Sequence, residues 1–146
     1  MTSVLRTTAL CLSLFTVMFI GTGCGGGGSG PELGSVTGVI TLDGKPLEGA
    51  NIEFTPVGGA GRPSAGESDS SGYYSLTYKG TTNGARIGEH EVTMTTFQEA
   101  MNYGGAEGFE DMPGRDEEIP KKYAAEKLRV KVEPGSNTIN LELTSD

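Results

Sequence analysis

Apolar and polar residues alternate through most of the chain beyond its first quarter, with the period of two that is typical of β-strands. The opening stretch, residues 36–56, predicts a strand, a turn and a second strand. Its turn sequence is DGKP at 43–46, in which Asp43 and Gly44 supply the positive φ of a tight turn and proline fixes φ at the exit. We expect the later strands to add to this pair.

Further short strands are predicted downstream, separated by turn sequences rich in glycine, proline and serine. Residues 64–69 carry almost no apolar side chains, which predicts a weak strand at the edge of a sheet. Asp69 and Gly72 are predicted to form the turn after it, with the carboxylate capping backbone N–H groups and the glycine taking positive φ. The remaining strands are expected at 73–78, 89–97, 127–132 and 138–144, with a glycine-rich loop at 79–88.

This series of about seven short strands, without a convincing long helix, predicts an all-β fold. The expected architecture is an antiparallel, seven-stranded Greek-key sandwich of the prealbumin or immunoglobulin type, which follows an N-terminal signal peptide. A length of 146 residues suffices for one domain. Hydrophobic residues make up 35% of the chain and 24 residues are glycine, so the predicted core is thin.

Residues 1–23 have the pattern of a bacterial lipoprotein signal peptide. Arg6 precedes an apolar run at 9–20, which is too short to cross a bilayer comfortably. Small residues then lead to Cys24, which we predict to be acylated, with palmitate among its acyl chains, and to anchor the protein in the membrane. Gly21 departs from the leucine that is usual in such signals. An ordinary secretory signal and a retained membrane helix are the alternatives.

Residues 24–34 are rich in glycine and predict a flexible tether of about 15 Å between the lipid anchor and the domain. The protein is therefore expected outside the cytoplasm and close to the membrane. Gly25 stands where an aspartate would signal retention in the inner membrane, which favours the outer membrane. Because Cys11 lies within the leader, processing would leave one cysteine, which excludes a disulfide within the domain and a CxxC metal site.

Three segments carry a family resemblance. The run GVITLDGKPLEGANIEFTP, followed by DSSGYYSL and GEHEVTM, resembles the carboxypeptidase regulatory-like domain, a transthyretin-type seven-stranded sandwich. The later run IPKKYAAEKLRVKVEPGSNTINLEL, together with the leader, looks like the small lipoproteins that planctomycete bacteria encode in large numbers. The resemblance implies a domain at 35–146 with an acidic insertion loop at 98–119. It implies no activity, because the family is defined by its architecture.

The composition argues against catalysis and nucleic-acid binding. The formal net charge is −8, without a basic patch that carries aromatic residues. His90 is the only histidine, which is too few for the metal sites of hydrolases or intradiol dioxygenases. The resemblance places an inward tyrosine at this position. No serine lies in a G-x-S-x-G sequence. We therefore predict no catalytic residue, no cofactor and no enzymatic activity.

The loop at 98–119 is acidic and rich in glycine, and a loop of this length is either functional or mobile. Its carboxylates would bind Ca²⁺ weakly, contact a basic partner, or only keep the surface solvated. Asp69 is a further carboxylate in a turn, although its spacing matches no EF-hand loop. The candidate cation ligands are Asp69, Glu110, Asp111, Asp116, Glu117 and Glu118.

Exposed aromatic rings offer a second binding chemistry, because they stack on sugars. The candidates are Tyr73, Tyr103, Phe109 and Tyr123. Our leading hypothesis is a lipid-anchored, non-enzymatic module of the cell envelope, with a structural or interaction role and an envelope protein or glycan as partner. The alternative is a Ca²⁺- or carbohydrate-binding module that uses the acidic loop.

Overall fold

The computed structural model describes residues 30–59, 61–104, 107–108 and 110–146. The predicted signal peptide, the lipidation residue Cys24 and the first part of the tether lie outside these residues, and so does Phe109. Within the described ranges, no helix is both long enough and apolar enough to cross a membrane.

The described chain is almost entirely β-structure. Its elements are β1 (Leu33–Leu42), β2 (Lys45–Pro46), β3 (Asn51–Pro56), β4 (Ser64–Glu67), β5 (Tyr73–Ser75), β6 (Thr77–Lys79), β7 (Thr82–Asn83), β8 (Ala85–Arg86), β9 (Gly88–Thr95), α1 (Lys122–Ala125), β10 (Leu128–Val132), β11 (Gly135–Thr138) and β12 (Leu141–Leu143). They form two sheets that enclose one hydrophobic core, which confirms the predicted all-β sandwich.

Strand β1 is the centre of the first sheet. Along one side it pairs antiparallel with β8, β5 and β2, and along the other it pairs with β11 and β12. The pairs with β11 and β12 are parallel, with Gly34 opposite Gly135 and Ile40 opposite Leu141. Parallel neighbours need a long connection, and here the whole second sheet supplies it.

The predicted strand–turn–strand pair at 36–56 does not form, because its first strand, β1, and its second, β3, lie in different sheets. Asp43 and Gly44 form a tight turn with φ values of 51° and 76°, and β2 pairs back on β1. The chain then crosses to the second sheet, because Leu47 and Ala50 are buried between the sheets. Ser68 holds the crossover in place: its hydroxyl donates to Leu47 O at 2.6 Å and accepts from Ala50 N–H at 2.9 Å.

The second sheet has the order β10-β9-β3-β4-β6-β7. The prediction that residues 64–69 form an edge strand is therefore wrong, since β4 lies between β3 and β6. Its small residues have another cause. A Cβ at Gly66 would lie 2.3 Å from Ser75 O, so β4 lacks large side chains where the chain from β5 to β6 passes close to it.

Two predicted segments are divided in the structure. The strand expected at 73–78 splits at Leu76, with β5 in the first sheet and β6 in the second. The chain can switch sheets there because the Leu76 side chain is fully buried at the crossing. The loop expected at 79–88 contains β7 and β8, and β8 pairs with the start of β1.

The core is built from the inward side chains of both sheets. In β9, His90, Val92 and Met94 point inward, as their alternation predicts. The Phe54 and Tyr74 rings come from different sheets and pack at a tilt of 52°, with centroids 6.5 Å apart. The other buried hydrophobic residues are Val36, Ile40, Leu47, Ala50, Ile52, Leu76, Ala85, Ile119, Val132, Leu141 and Leu143.

The two ends of the sandwich differ in what they carry. At the end where β1 begins, Gly34 pairs with Gly135 and Ala85, and we call this the tether end. At the other end β1 finishes beside the Asp43–Gly44 turn. Strand β9 runs from Gly88 at the tether end to Thr95 at the opposite end, where the acidic segment begins.

Candidate functional site

The acidic segment is folded back on itself. Reciprocal backbone hydrogen bonds of 2.8–2.9 Å join Gln98 to Arg115 and Met101 to Met112 in antiparallel pairs. Further along, Tyr103 N–H donates to the Asp111 carboxylate at 2.8 Å. We call residues 97–116 the arm. The segment that was predicted as an acidic loop is therefore an antiparallel paired structure at its base.

Glu117 fixes the base of the arm to the end of β9. Its carboxylate accepts hydrogen bonds from both Thr96 groups, the backbone N–H at 2.9 Å and the hydroxyl at 2.8 Å. The Thr95 hydroxyl and the Ile119 N–H complete the set. Partial burial by itself raises the pKa of Glu117, but these hydrogen bonds outweigh it and lower the pKa to about 2. Glu117 is thus a structural anchor.

Arg115 ties the arm to the crossover that precedes β3. Its Nη1 donates to Glu48 O at 2.6 Å, and its Nη2 forms an ion pair with Glu118 at 2.7 Å. Gly49 makes the approach possible, since a Cβ at this residue would lie 2.2 Å from Arg115 Nη1. The arm therefore leaves the sandwich in a defined position, at the end opposite the tether end. We call this end the arm end.

The arm exposes apolar side chains among its carboxylates. Six large hydrophobic residues are exposed in the described chain, and four of them lie on the arm: Phe97, Met101, Tyr103 and Met112. Phe97 is the most exposed of these, at 57%. Clustered exposed apolar residues within a polar rim are typical of surfaces that bind other molecules. The apolar residues of this surface follow no period along the sequence, because a short hairpin with both faces exposed needs no alternation.

Four of the six candidate cation ligands are engaged in separate local contacts. Asp69 accepts hydrogen bonds from the Ser71 hydroxyl and N–H and from Tyr73 N–H, which lower its pKa. Glu117 and Glu118 hold the arm base, while Asp111 caps Tyr103 N–H. Glu110 and Asp116 are exposed on the arm. Among the described residues, no three histidine, cysteine or carboxylate side chains lie close enough to hold a metal ion.

The candidate aromatic residues lie on different elements. Tyr73 is in β5, Tyr103 is on the arm, and Tyr123 is in α1. The Tyr123 hydroxyl accepts a hydrogen bond from Thr144 N–H at 3.0 Å, and the Lys122 ammonium lies 5.2 Å from the ring centroid. The three rings therefore belong to three separate elements and not to one strand or loop.

His90 lies in the core. Its side chain is 1% exposed, and its ring stands 6.0 Å from that of Phe54. Nδ1 is 3.1 Å from Gly88 O, which can only accept, so Nδ1 carries the proton. Nε2 is buried and has no hydrogen-bond partner among the described residues. Burial lowers the pKa of His90, which keeps the ring neutral.

Comparisons with known proteins show little. No family model matches the chain, and no curated protein matches its sequence. A solved structure, that of a DUF3823 family protein from Parabacteroides merdae, is similar at a TM-score of 0.41 and 15% sequence identity. The similarity covers 79% of this chain and 47% of that one, so this chain spans about half the length of that protein. Membership of the carboxypeptidase regulatory-like family stays a prediction.

Proposed function

We propose that this protein is a non-enzymatic interaction module of the cell envelope, held to the membrane by acyl chains on Cys24, which contacts its partner through the arm. One observation carries the proposal. The chain enters the sandwich at one end of β1, whereas the arm leaves from the other end. Because β1 has ten residues, the two ends are separated by about 33 Å. A lipid anchor before the tether would therefore present the arm away from the membrane.

The chemistry of the arm supports a contact role. Its base is fixed by Glu117 and Arg115, so binding a partner would not require the arm to be ordered at its base first. The exposed methionine and aromatic side chains supply apolar contact area, and methionine adapts to irregular surfaces. The surrounding carboxylates favour a partner with a basic surface.

The state of His90 supports the non-enzymatic part of the proposal. A general base must reach the proton that it abstracts. His90 is the only histidine of the sequence, its ring is enclosed by the core, and its Nδ1 is hydrogen-bonded to Gly88 O. It is therefore placed to pack and not to act as a base.

Site-specific photo-crosslinking in intact cells tests the role of the arm. A photo-reactive amino acid at position 101 or 112 is expected to give a discrete adduct with an envelope component. The same group at position 136, which is exposed at the tether end, is the control and should not give this adduct. Combined Glu110→Gln and Asp111→Asn substitutions should reduce the arm adduct at least threefold. Equal adducts from all three positions, or none from the arm, would contradict the proposal.

A further inference from the structure

A second feature lies at the tether end. A cavity of about 490 Å³ opens beside the point where the described chain begins, and Gly30 and Pro31 border it. Leu33 and Tyr78 contribute apolar surface, while Arg62 and Lys79 contribute two positive charges. The described lining residues include no carboxylate. In a chain with a net charge of −8, this is a local site of opposite sign.

The two cations of this cavity are free to bind an anion. The side chains of Arg62 and Lys79 form no hydrogen bond or ion pair with another described residue, and both residues are exposed. Other cations of the described chain are already engaged: Arg115 with Glu118, Lys127 and Arg129 with Glu91, and Lys131 with Glu133. An arginine fork and a lysine ammonium together suit a phosphate group.

The position of the cavity relative to Cys24 indicates where such an anion would come from. Five residues lie between Cys24 and Gly30, so the covalent chain lets these two Cα atoms be at most about 20 Å apart. The headgroup layer of a bilayer leaflet is about 5–8 Å thick. If Cys24 carries acyl chains, the cavity lies within reach of the neighbouring headgroups, and the acidic arm lies at the far end.

We propose that this cavity binds the phosphate of an anionic membrane lipid and so orients the domain with its tether end towards the bilayer. Arg62 and Lys79 contact the phosphate, and Leu33 and Tyr78 contact the glycerol and the first carbons of the lipid. The acyl chains of the bound lipid stay in the bilayer. The inference rests on the proposed acylation of Cys24, because only an anchored chain keeps the cavity at the membrane.

The test is amide hydrogen exchange of the lipidated full-length product in two kinds of nanodisc, one of phosphatidylcholine alone and one with about a fifth phosphatidylglycerol. In the anionic discs, amides of 61–62 and 78–82 should exchange at least fivefold more slowly, because a basic residue near an anionic surface contributes a factor of about five. Amides at 98–104 on the arm should not change. Equal exchange at the cavity in both discs would overturn the proposal.

Two variants assign the effect to the cavity. A combined Arg62→Gln and Lys79→Gln variant should lose the protection, whereas Lys45→Gln with Lys121→Gln should keep it. The control pair is also exposed and removes the same charge, but it lies outside the cavity. Protection that survives in the first variant, or disappears in both, would show only a general response to surface charge and would overturn the site.

Two further measurements separate the remaining explanations. Millimolar glycerol phosphate added to phosphatidylcholine discs should leave exchange at the cavity unchanged; full protection would show a site for a free phosphate ester and overturn the lipid assignment.

If Cys24 proves unmodified, the proposed anchoring fails. The headgroup site is then judged by sedimentation of the unanchored protein with phosphatidylglycerol vesicles, where binding must fall at least fivefold in the Arg62→Gln, Lys79→Gln variant.

Discussion

His90 shows how one buried polar atom sets the response of the domain to pH. The ring fills a core position between the sheets, but its Nε2 is left without a partner among the described residues. Burial disfavours the charged ring, and the charge of Arg86 adds to this effect, so the pKa of His90 is lowered from its ordinary value of 6.5. Below pH 6.5 the unfolded chain therefore binds protons more readily than the folded one.

We accordingly predict that the free energy of unfolding falls as the pH drops from 7 to 5. The slope due to His90 is at most about 1.4 kcal/mol for each pH unit. His90→Phe removes the titrating group and keeps an apolar ring in the core, so the variant should lose this slope. Urea unfolding at several pH values measures it. A His90→Phe variant that retains the full slope between pH 7 and 5 would contradict this account of the residue.

At the scale of elements, Glu117 holds the arm onto β9. The carboxylate accepts four hydrogen bonds from Thr95, Thr96 and Ile119. Its pKa is lowered from 4.5 to about 2, so its contribution to stability is complete above pH 4.5 and is lost as the pH falls towards 2. This window lies below the one assigned to His90, and the two effects can be measured separately.

Glu117→Gln should lower the free energy of unfolding at pH 7 by about 1 kcal/mol, because an amide cannot accept from all these donors. The loss stays this small because the site is partly open to solvent. The difference from the wild type should shrink below pH 4.5. Asp116→Asn is the matched control, since its side chain is exposed on the arm, and it should have little effect. A difference that stays constant from pH 7 to pH 2 would show that the carboxylate charge is not what anchors the arm.

Elements also show what the sequence can predict. Alternation identified the inward residues of β9 and β10 because a strand with one buried face must alternate. Alternation could not predict which sheet a strand joins, since strands of both sheets bury one face against the same core and so have the same pattern. The crossovers at Leu47 and Leu76 were missed for this reason, and so was the position of β4. The close approach that requires Gly66 depends on Ser75, nine residues away, and leaves no local signal.

At the scale of the whole molecule, the sandwich separates two surfaces of different chemistry. The tether end carries a cavity with two cations that have no ion-pair partner among the described residues, and the arm end carries exposed apolar side chains among carboxylates. The sequence predicted the acidic segment as a candidate binding site. The antiparallel pairing within the arm and the contact of Arg115 with Glu48 appear only in three dimensions. The proposed function depends on this separation together with an anchor at Cys24.

The most direct test of the account is the intact mass of the protein purified from native membranes, measured beside a Cys24→Ser variant. We predict a mature chain that begins at Cys24 and carries acyl chains, and a variant that is no longer found acylated in the membrane fraction. An unmodified Cys24, or a chain that still begins at Met1, would contradict lipid anchoring. The departure at Gly21 would then have prevented processing, and the arm would lack the fixed orientation that the proposed function requires.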